Sequence, residues 1–253
     1  MLERQAWTAG RFWLCKAGGV SDTSASYTPA DRDLASIADL IEDPARAAML
    51  AALAGGRALP AGELARRAGV HPATASTHLR RLTEGGLIRV RAQGRHRYHE
   101  IVNPEVATVL EAIAQIAPPA PVPSLSQHRA ARALFEARTC YDHLAGRRGV
   151  QLRDRLMAAA AIRRLDDRDH ELTDRGQDLL DQLGIDLAAL RASRRVFARS
   201  CIDWTDRRVH LAGALPAAIT SVFLARGWLT RGPGRSLRVV SGYDDDLEKW
   251  LAT

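Results

Sequence analysis

Gly62-Glu-Leu-Ala-Arg-Arg-Ala-Gly-Val-His-Pro-Ala-Thr-Ala-Ser-Thr-His-Leu-Arg-Arg-Leu-Thr-Glu-Gly-Gly-Leu-Ile88 reads as two short helices with a tight turn between them. Leu64, Ala65 and Ala68 recur at helical spacing, and Gly69 can take the positive φ that ends a helix. Val70 is placed to pack back under the turn. His71-Pro72 opens the second helix, since a first turn tolerates proline's missing N–H. Within it Ala75, Leu79 and Leu82 repeat at four and three and define one buried face. Thr74, Ser76, Thr77, His78, Arg80 and Arg81 fall mostly on the other faces.

Gly85-Gly86 stops that helix. Apolar and basic residues then alternate through Ile88-Arg89-Val90-Arg91, as in a half-buried strand. Ala92-Gln93-Gly94 is expected to turn the chain, and Arg95-His-Arg-Tyr-His-Glu-Ile101 to return it, giving a hairpin with arginines at its tip. From Arg57 to His99 there are nine arginines against two glutamates, a formal +7 that equals the net charge of all 253 residues. Phosphate neutralisation requires charge concentrated in this way. Helix pair, glycine stop and basic hairpin follow in the order of a head that reads duplex DNA, which outweighs the alternative of a merely solvated arginine face. The candidate contacts are His71, Thr74, Ser76, Thr77 and His78 toward the major groove, and Arg80 and Arg81 toward phosphate or guanine. Arg91, Arg95 and Arg97 of the hairpin would reach the backbone or minor groove.

Three segments carry a family resemblance: Asp39-Leu-Ile-Glu-Asp-Pro-Ala-Arg-Ala-Ala-Met-Leu-Ala-Ala-Leu, Glu63-Leu-Ala-Arg-Arg-Ala-Gly-Val, and Thr74-Ala-Ser-Thr-His-Leu-Arg-Arg-Leu-Thr-Glu-Gly-Gly-Leu-Ile. Over roughly residues 33–117 the chain resembles the ArsR-type winged-helix repressors. The resemblance implies a homodimer on a near-palindromic operator, with helices near 33–54 and 104–117 forming the dimer contact. The chain departs from the metal-sensing members. Leu59-Pro-Ala-Gly-Glu-Leu-Ala has no cysteine, and Pro104 to Ile116 offers Glu105 and Glu111 but no histidine. Soft metals need several Cys or His donors, so no metal site is expected inside this domain.

At 253 residues the chain is long enough for two compact domains. The expected division is a flexible tail at 1–30, the winged-helix domain at 31–117, a proline-rich linker at 118–124 and a C-terminal regulatory domain at 125–253. The Ser/Thr-rich lead-in after Gly19 suggests a natural start near Val20. Cys15, Cys140 and Cys201 are too few for a disulfide scaffold and suit a reducing cytoplasm. No apolar run reaches membrane-spanning length. The fold class expected is mainly α, a winged helix-turn-helix domain followed by a mostly helical domain with short strands on winged-helix-like units.

In that second domain the pattern predicts helices over Gln127–Leu144, Val150–Leu165 and Leu215–Leu229. It also predicts strands at His170-Glu-Leu and Ser236-Leu-Arg-Val-Val, each leading into a helix. An internal echo stands out. Cys140-Tyr-Asp-His-Leu-Ala-Gly and Cys201-Ile-Asp-Trp-Thr-Asp-Arg-Arg-Val-His-Leu-Ala-Gly share Cys-x-Asp and His-Leu-Ala-Gly, with six extra residues in the second. Three readings fit Cys140, Asp142, His143, Cys201, Asp203 and His210. One is core and helix capping, with no cofactor. The second is a metal or small-molecule effector pocket, and the third a thiol switch between Cys140 and Cys201. Trp204, Phe223 and Trp228 could line an apolar pocket or fill the core.

The function expected is a cytoplasmic, non-enzymatic transcription regulator. It would bind double-stranded DNA and be released by an effector or redox signal sensed in the second domain. The rival is a regulator fused to a catalytic domain. Against it, the chain has no glycine-rich nucleotide loop and no Gly-x-Ser-x-Gly elbow.

Overall fold

The computed structural model describes residues 32–118 and 124–252. The expected tail at 1–30 and the linker prolines 119, 121 and 123 lie outside the described residues.

The region expected as a helix near 33–54 is two helices, α1 (Leu34–Glu42) and α2 (Pro44–Leu53). They break at Asp43-Pro44, where the residue before proline is pushed out of the helical region and Asp43 accepts from Arg46 N at 2.9 Å. A short strand β1 (Leu59–Pro60) leads into α3 (Ala61–Ala68), which Gly69 terminates at φ 66°. α4 (Pro72–Glu84) is capped by His71, whose Nδ1 accepts from Ala73 N at 3.3 Å. β2 (Ile88–Gln93) and β3 (His96–Ile101) form the hairpin, and β3 lies between β1 and β2 in one antiparallel sheet. Pairing continues out to Gln93↔His96, so the turn is Gly94-Arg95 rather than Ala92–Gly94. Gly94, at φ 58°, supplies the positive φ that a two-residue hairpin turn demands at its first position. α5 (Pro104–Ile116) closes the unit. Met49, Leu50, Leu53, Leu64, Leu79, Leu82, Ile88 and Ile101 form its core.

Beyond α6 (Leu125–Glu136) the chain runs through the same sequence of elements twice. The first pass is hairpin β4 (Arg138–Cys140) and β5 (His143–Ala145), helix α7 (Arg147–Ala158), hairpin β6 (Ile162–Arg164) and β7 (His170–Leu172), then helix α8 (Asp174–Leu183). After α9 (Leu187–Ala192) the second pass is β8 (Arg199–Ile202) and β9 (Val209–Ala212), α10 (Ala214–Ala225), β10 (Leu229–Arg231) and β11 (Leu237–Val239), and α11 (Tyr243–Ala252). In each pass a glycine with positive φ joins first hairpin to helix: Gly146 at 77° and Gly213 at 118°. A Cβ at either would press within 2.7 Å or 2.6 Å of a backbone carbonyl, that of Phe135 or Val196. The echoed His-Leu-Ala-Gly is therefore the same structural joint made twice.

Three helical expectations are corrected. The stripe Ala130, Leu134, Ala137, Tyr141 reads on as a helix, but α6 ends at Glu136 and residues 138–145 form a hairpin. Arg138 is fully buried there and needs a carboxylate partner, which the strand position supplies and a continued helix does not. α7 stops at Ala158 instead of reaching Leu165, and α10 stops at Ala225, leaving Leu229 to begin β10. Phe223 lies at the centre of the second core, with the Trp228 ring at 4.8 Å, Trp250 at 5.8 Å and Tyr243 at 6.0 Å. Among the described residues no helix is long and apolar enough to cross a membrane.

The two halves are joined through the first hairpin. Tyr141 N donates to Ala54 O at 2.8 Å, and Thr139 Oγ1 to Gly55 O at 3.2 Å. Arg57 Nη1 donates to Gly234 O at 3.0 Å. Gly56, at φ 67°, sits so close that a Cβ would run into the carbonyl of Tyr141. α5 meets the second half through two residues one turn apart. Buried Glu111 pairs with Arg235 and lies 3.9 Å from Arg138, and Gln115 Nε2 donates to Ile202 O at 3.1 Å.

Candidate functional site

Two sets of side chains carry chemistry. The first is the face of α4 together with the hairpin β2–β3. Ala75, Leu79 and Leu82 are buried, so His71, Thr74, Ser76, Thr77, Arg80 and Arg81 are left exposed. Ser76 Oγ donates to Pro72 O at 3.0 Å, and Thr77 Oγ1 to Ala73 O at 3.4 Å, which leaves their lone pairs outward. His78 departs from the expectation: it is largely covered, with Nδ1 3.8 Å from Asp43 Oδ1, and is turned toward the start of α2. Arg81 is tied to Asp39 at 2.8 Å. On the hairpin, Arg89 pairs with Glu100 at 2.9 Å, and Arg91 lies 3.9 Å from the same carboxylate. Arg80, Arg95 and Arg97 are exposed and have no ion-pair partner among the described residues.

The second set lies in the C-terminal half. β4 and β5 pair Cys140 with His143 across the strands, and β8 and β9 pair Cys201 with His210. Cross-strand partners share a face, so each hairpin presents one thiol and one imidazole side by side. β5 packs on β9 and brings the two pairs together, with one ligand-type atom from each of the four residues within 4.8 Å of the others. The imidazole rings stack at 5.3 Å. Cys140, His143 and His210 are buried and Cys201 is half-buried. All four imidazole nitrogens are buried without a hydrogen-bond partner. The Cys201 sulfur beside it, together with burial, pushes the Cys140 thiol up to about 12.

The two aspartates of the echo stand behind the histidines. Asp142 Oδ1 is 3.5 Å from His143 Nδ1, and Asp203 Oδ2 is 3.8 Å from His210 Nδ1. Asp142 is fixed by Arg195 at 2.6 Å. Asp203 caps no helix. It holds the β8–β9 loop, accepting from Thr205 N at 2.9 Å, Asp206 N at 3.0 Å and Gly146 N at 2.6 Å, and pairs with Arg138 at 3.0 Å. Burial works against its charge, but Arg138, Thr205 and the backbone N–H groups win and hold the carboxyl well below the usual range. A cavity of about 480 Å³ opens beside the cluster, lined by α5 residues from Glu105 to Gln115 and by Cys140, His143 and Cys201. Trp204 is not at this cavity. It lies under Arg138, whose guanidinium carbon is 4.7 Å from its ring centroid. The group of buried Arg138, Asp203 and Glu111 with half-buried Arg235 and Trp204 had no signal in periodicity, since only tertiary pairing makes those charges tolerable inside.

The first half thus has the architecture of a winged helix-turn-helix DNA-binding protein. A family model described as a helix-turn-helix domain matches residues 41–91. The chain is 41% identical over 220 residues to the HTH-type transcriptional regulator YdfF of Bacillus subtilis (strain 168), covering 87% of this chain and 97% of that one. It belongs to that family of HTH-type transcriptional regulators, with a winged helix-turn-helix first half and an additional C-terminal half. Among solved structures it is similar to the cadmium metal-sensor CMTR of Mycobacterium tuberculosis, with 29% identity, 36% of this chain and 97% of that chain covered, and a TM-score of 0.30. It is also similar to the homodimeric winged helix-turn-helix domain of Mb0332 from Mycobacterium bovis, with 26% identity, 35% and 88% covered, and a TM-score of 0.30.

Proposed function

We infer that this regulator is a repressor that binds a near-palindromic operator as a homodimer and responds to a signal taken up by its C-terminal half. The observation that supports this best is the contrast within α4: its apolar face is fully buried while Thr74, Ser76, Thr77 and Arg80 stay uncovered, next to the unpaired arginines of the wing. Thr74, Ser76 and Thr77 read base edges, Arg80 and Arg81 hold phosphate or guanine, and Arg91, Arg95 and Arg97 hold the flanking backbone. Arg81 must leave Asp39, and Arg91 must leave the vicinity of Glu100, to do so.

The dimer contact is α5 with α1. Val109, Ile113 and Ile116 form an apolar stripe at four and three along α5 and are all exposed, as is Leu34 of α1. An effector that favours the conformer with wrongly spaced heads lowers operator affinity by its differential binding energy. The structure lends a catalytic role for Cys140 no support: its thiol is buried, and the Cys201 sulfur beside it, together with burial, favours the protonated form over the nucleophilic thiolate.

The test is a salt-titrated binding assay on DNA from the chain's own upstream region. Ser76→Ala with Thr77→Val should change sequence preference, and a preference identical to the parent's overturns the placement of α4 in the groove.

A further inference from the structure

Nothing in the DNA-binding reading uses the four side chains gathered between the two hairpins. We propose that Cys140, His143, Cys201 and His210 form a tetrahedral site for a thiophilic divalent cation of the zinc type, one ion per chain. Three observations converge on it.

The first is the donor set. Two sulfurs and two imidazoles, each hairpin supplying one of each, is the combination that selects zinc-like ions over calcium or magnesium. The second is satisfaction. Four imidazole nitrogens in two buried rings make no well-formed hydrogen bond, and native interiors seldom leave such atoms in that state. A disulfide between Cys140 and Cys201 would leave all four as they are, whereas an ion takes one nitrogen of each ring. The other nitrogen then falls to the carboxylate already facing it, Asp142 for His143 and Asp203 for His210. That is the usual support for a metal-bound histidine. His170 makes the contrast: it too is buried and unpaired, but its charged neighbours include Arg153 and Arg164 and no thiol accompanies it. The third is access, since the 480 Å³ cavity reaches Cys140, His143 and Cys201.

The step balances in charge and protons. Both thiols, and either imidazole where it is protonated, give up their protons to solvent, so that the dication binds two thiolates and two neutral imidazoles and the filled site is neutral, as a buried site should be. Donor atoms now up to 4.8 Å apart must draw in to roughly 3.3–3.8 Å, the spacing set by zinc–sulfur bonds of about 2.3 Å and zinc–nitrogen bonds of about 2.0 Å. The two hairpins therefore move toward each other. Each has a neighbouring residue anchored on the first half: Tyr141 holds the end of α2 through Ala54, and Ile202 holds α5 through Gln115. Occupancy is in this way communicated to the two helices that place the DNA head and its dimer stripe. This second clause rests on the repressor reading, while the ion site does not.

The test titrates the reduced, chelator-stripped full-length chain with cobalt(II), which reports its own geometry. Expected are one cobalt per chain, a thiolate-to-cobalt charge-transfer band, the intense visible bands of four-coordinate cobalt, release of protons on binding, and displacement by zinc. Cys201→Ser should weaken the charge-transfer band and His143→Ala the visible bands, each checked for folding by circular dichroism. Asp142→Asn, which keeps all four donors, should bind about 10- to 100-fold more weakly. Cys15→Ser, in a residue outside the described ones, should leave binding intact. Absence of the bands in folded, reduced protein overturns the site, as does their survival in Cys140→Ser/Cys201→Ser. Operator affinity is measured with and without zinc in parallel, where a shift of about 5- to 150-fold is expected. Cobalt binding without any shift overturns the coupling and leaves the site, whereas cobalt binding with no operator binding in either state overturns the repressor reading alone.

Discussion

Replacing Arg95 and Arg97 together with alanine tests the wing most directly. Both are exposed, and neither has an ion-pair partner among the described residues, so each is free to neutralise one phosphate. In a dimer that makes four contacts. Each contact contributes about 0.9 to the slope of log affinity against log salt, so the variant's slope should be shallower by about 3.6. Between about 50 and 200 mM salt the parent should therefore lose roughly 150-fold more affinity than the variant. Arg89→Ala is the internal control. Glu100 already neutralises that guanidinium at 2.9 Å, so its removal should move the slope by less than about 0.9 per protomer. Fluorescence anisotropy on a labelled operator, repeated across salt, reads both. An unchanged slope in Arg95→Ala/Arg97→Ala, or a larger effect from Arg89→Ala, would refute the assignment of the wing tip to phosphate.

Four further outcomes follow from the packing. Gly86→Ala should cost about 1–2 kcal/mol, the left-handed backbone alone, because its φ is 72° and the space around it is open. Gly56→Ala should cost clearly more in urea unfolding, since its Cβ meets Tyr141 O as well, and equal costs would show that the seam between the halves yields freely. Asp203→Ala leaves fully buried Arg138 only the Glu111 carboxylate, 3.9 Å away and already paired with Arg235, and should lose about 3–5 kcal/mol, with much of it recovered when Arg138→Met is added; no recovery would mean that the loop caps, not the ion pair, carry the cost. Ile113→Glu with Ile116→Glu puts two charges on the exposed stripe of α5 and should sediment as a monomer, whereas an intact dimer would place the contact elsewhere.

The first half was legible because its signals are local. Gly69, the His71-Pro72 start, Gly85-Gly86 and the alternation from Ile88 each act within a few residues, and the expected elements formed to within a residue or two. Its differences are of the same scale: the wing turn is Gly94-Arg95 rather than Ala92–Gly94, and Asp43-Pro44 divides the helical region near 33–54 in two. His78 was misplaced because spacing alone does not show that Asp43 of another helix lies 3.8 Å away. In the second half, short strands of three or four residues are too brief for periodicity to separate from a helix, so Arg138–Ala145 was absorbed into the helix before it. The echo of Cys-x-Asp and His-Leu-Ala-Gly did point to the six residues that meet. It did so through repetition, while the spacing of three in Cys140 and His143 suggested a helical face and the pair in fact closes a hairpin.

The doubled order of hairpin, helix, hairpin and helix has a consequence for avidity. Two like modules on separate chains would find each other only at the concentration the cell supplies, and would part on dilution. Held on one backbone, with β5 already against β9, the two sulfur–nitrogen pairs meet at an effective concentration independent of expression level. Any response threshold of this corner of the molecule is therefore written into its covalent connectivity and is the same for the first copy made as for the thousandth.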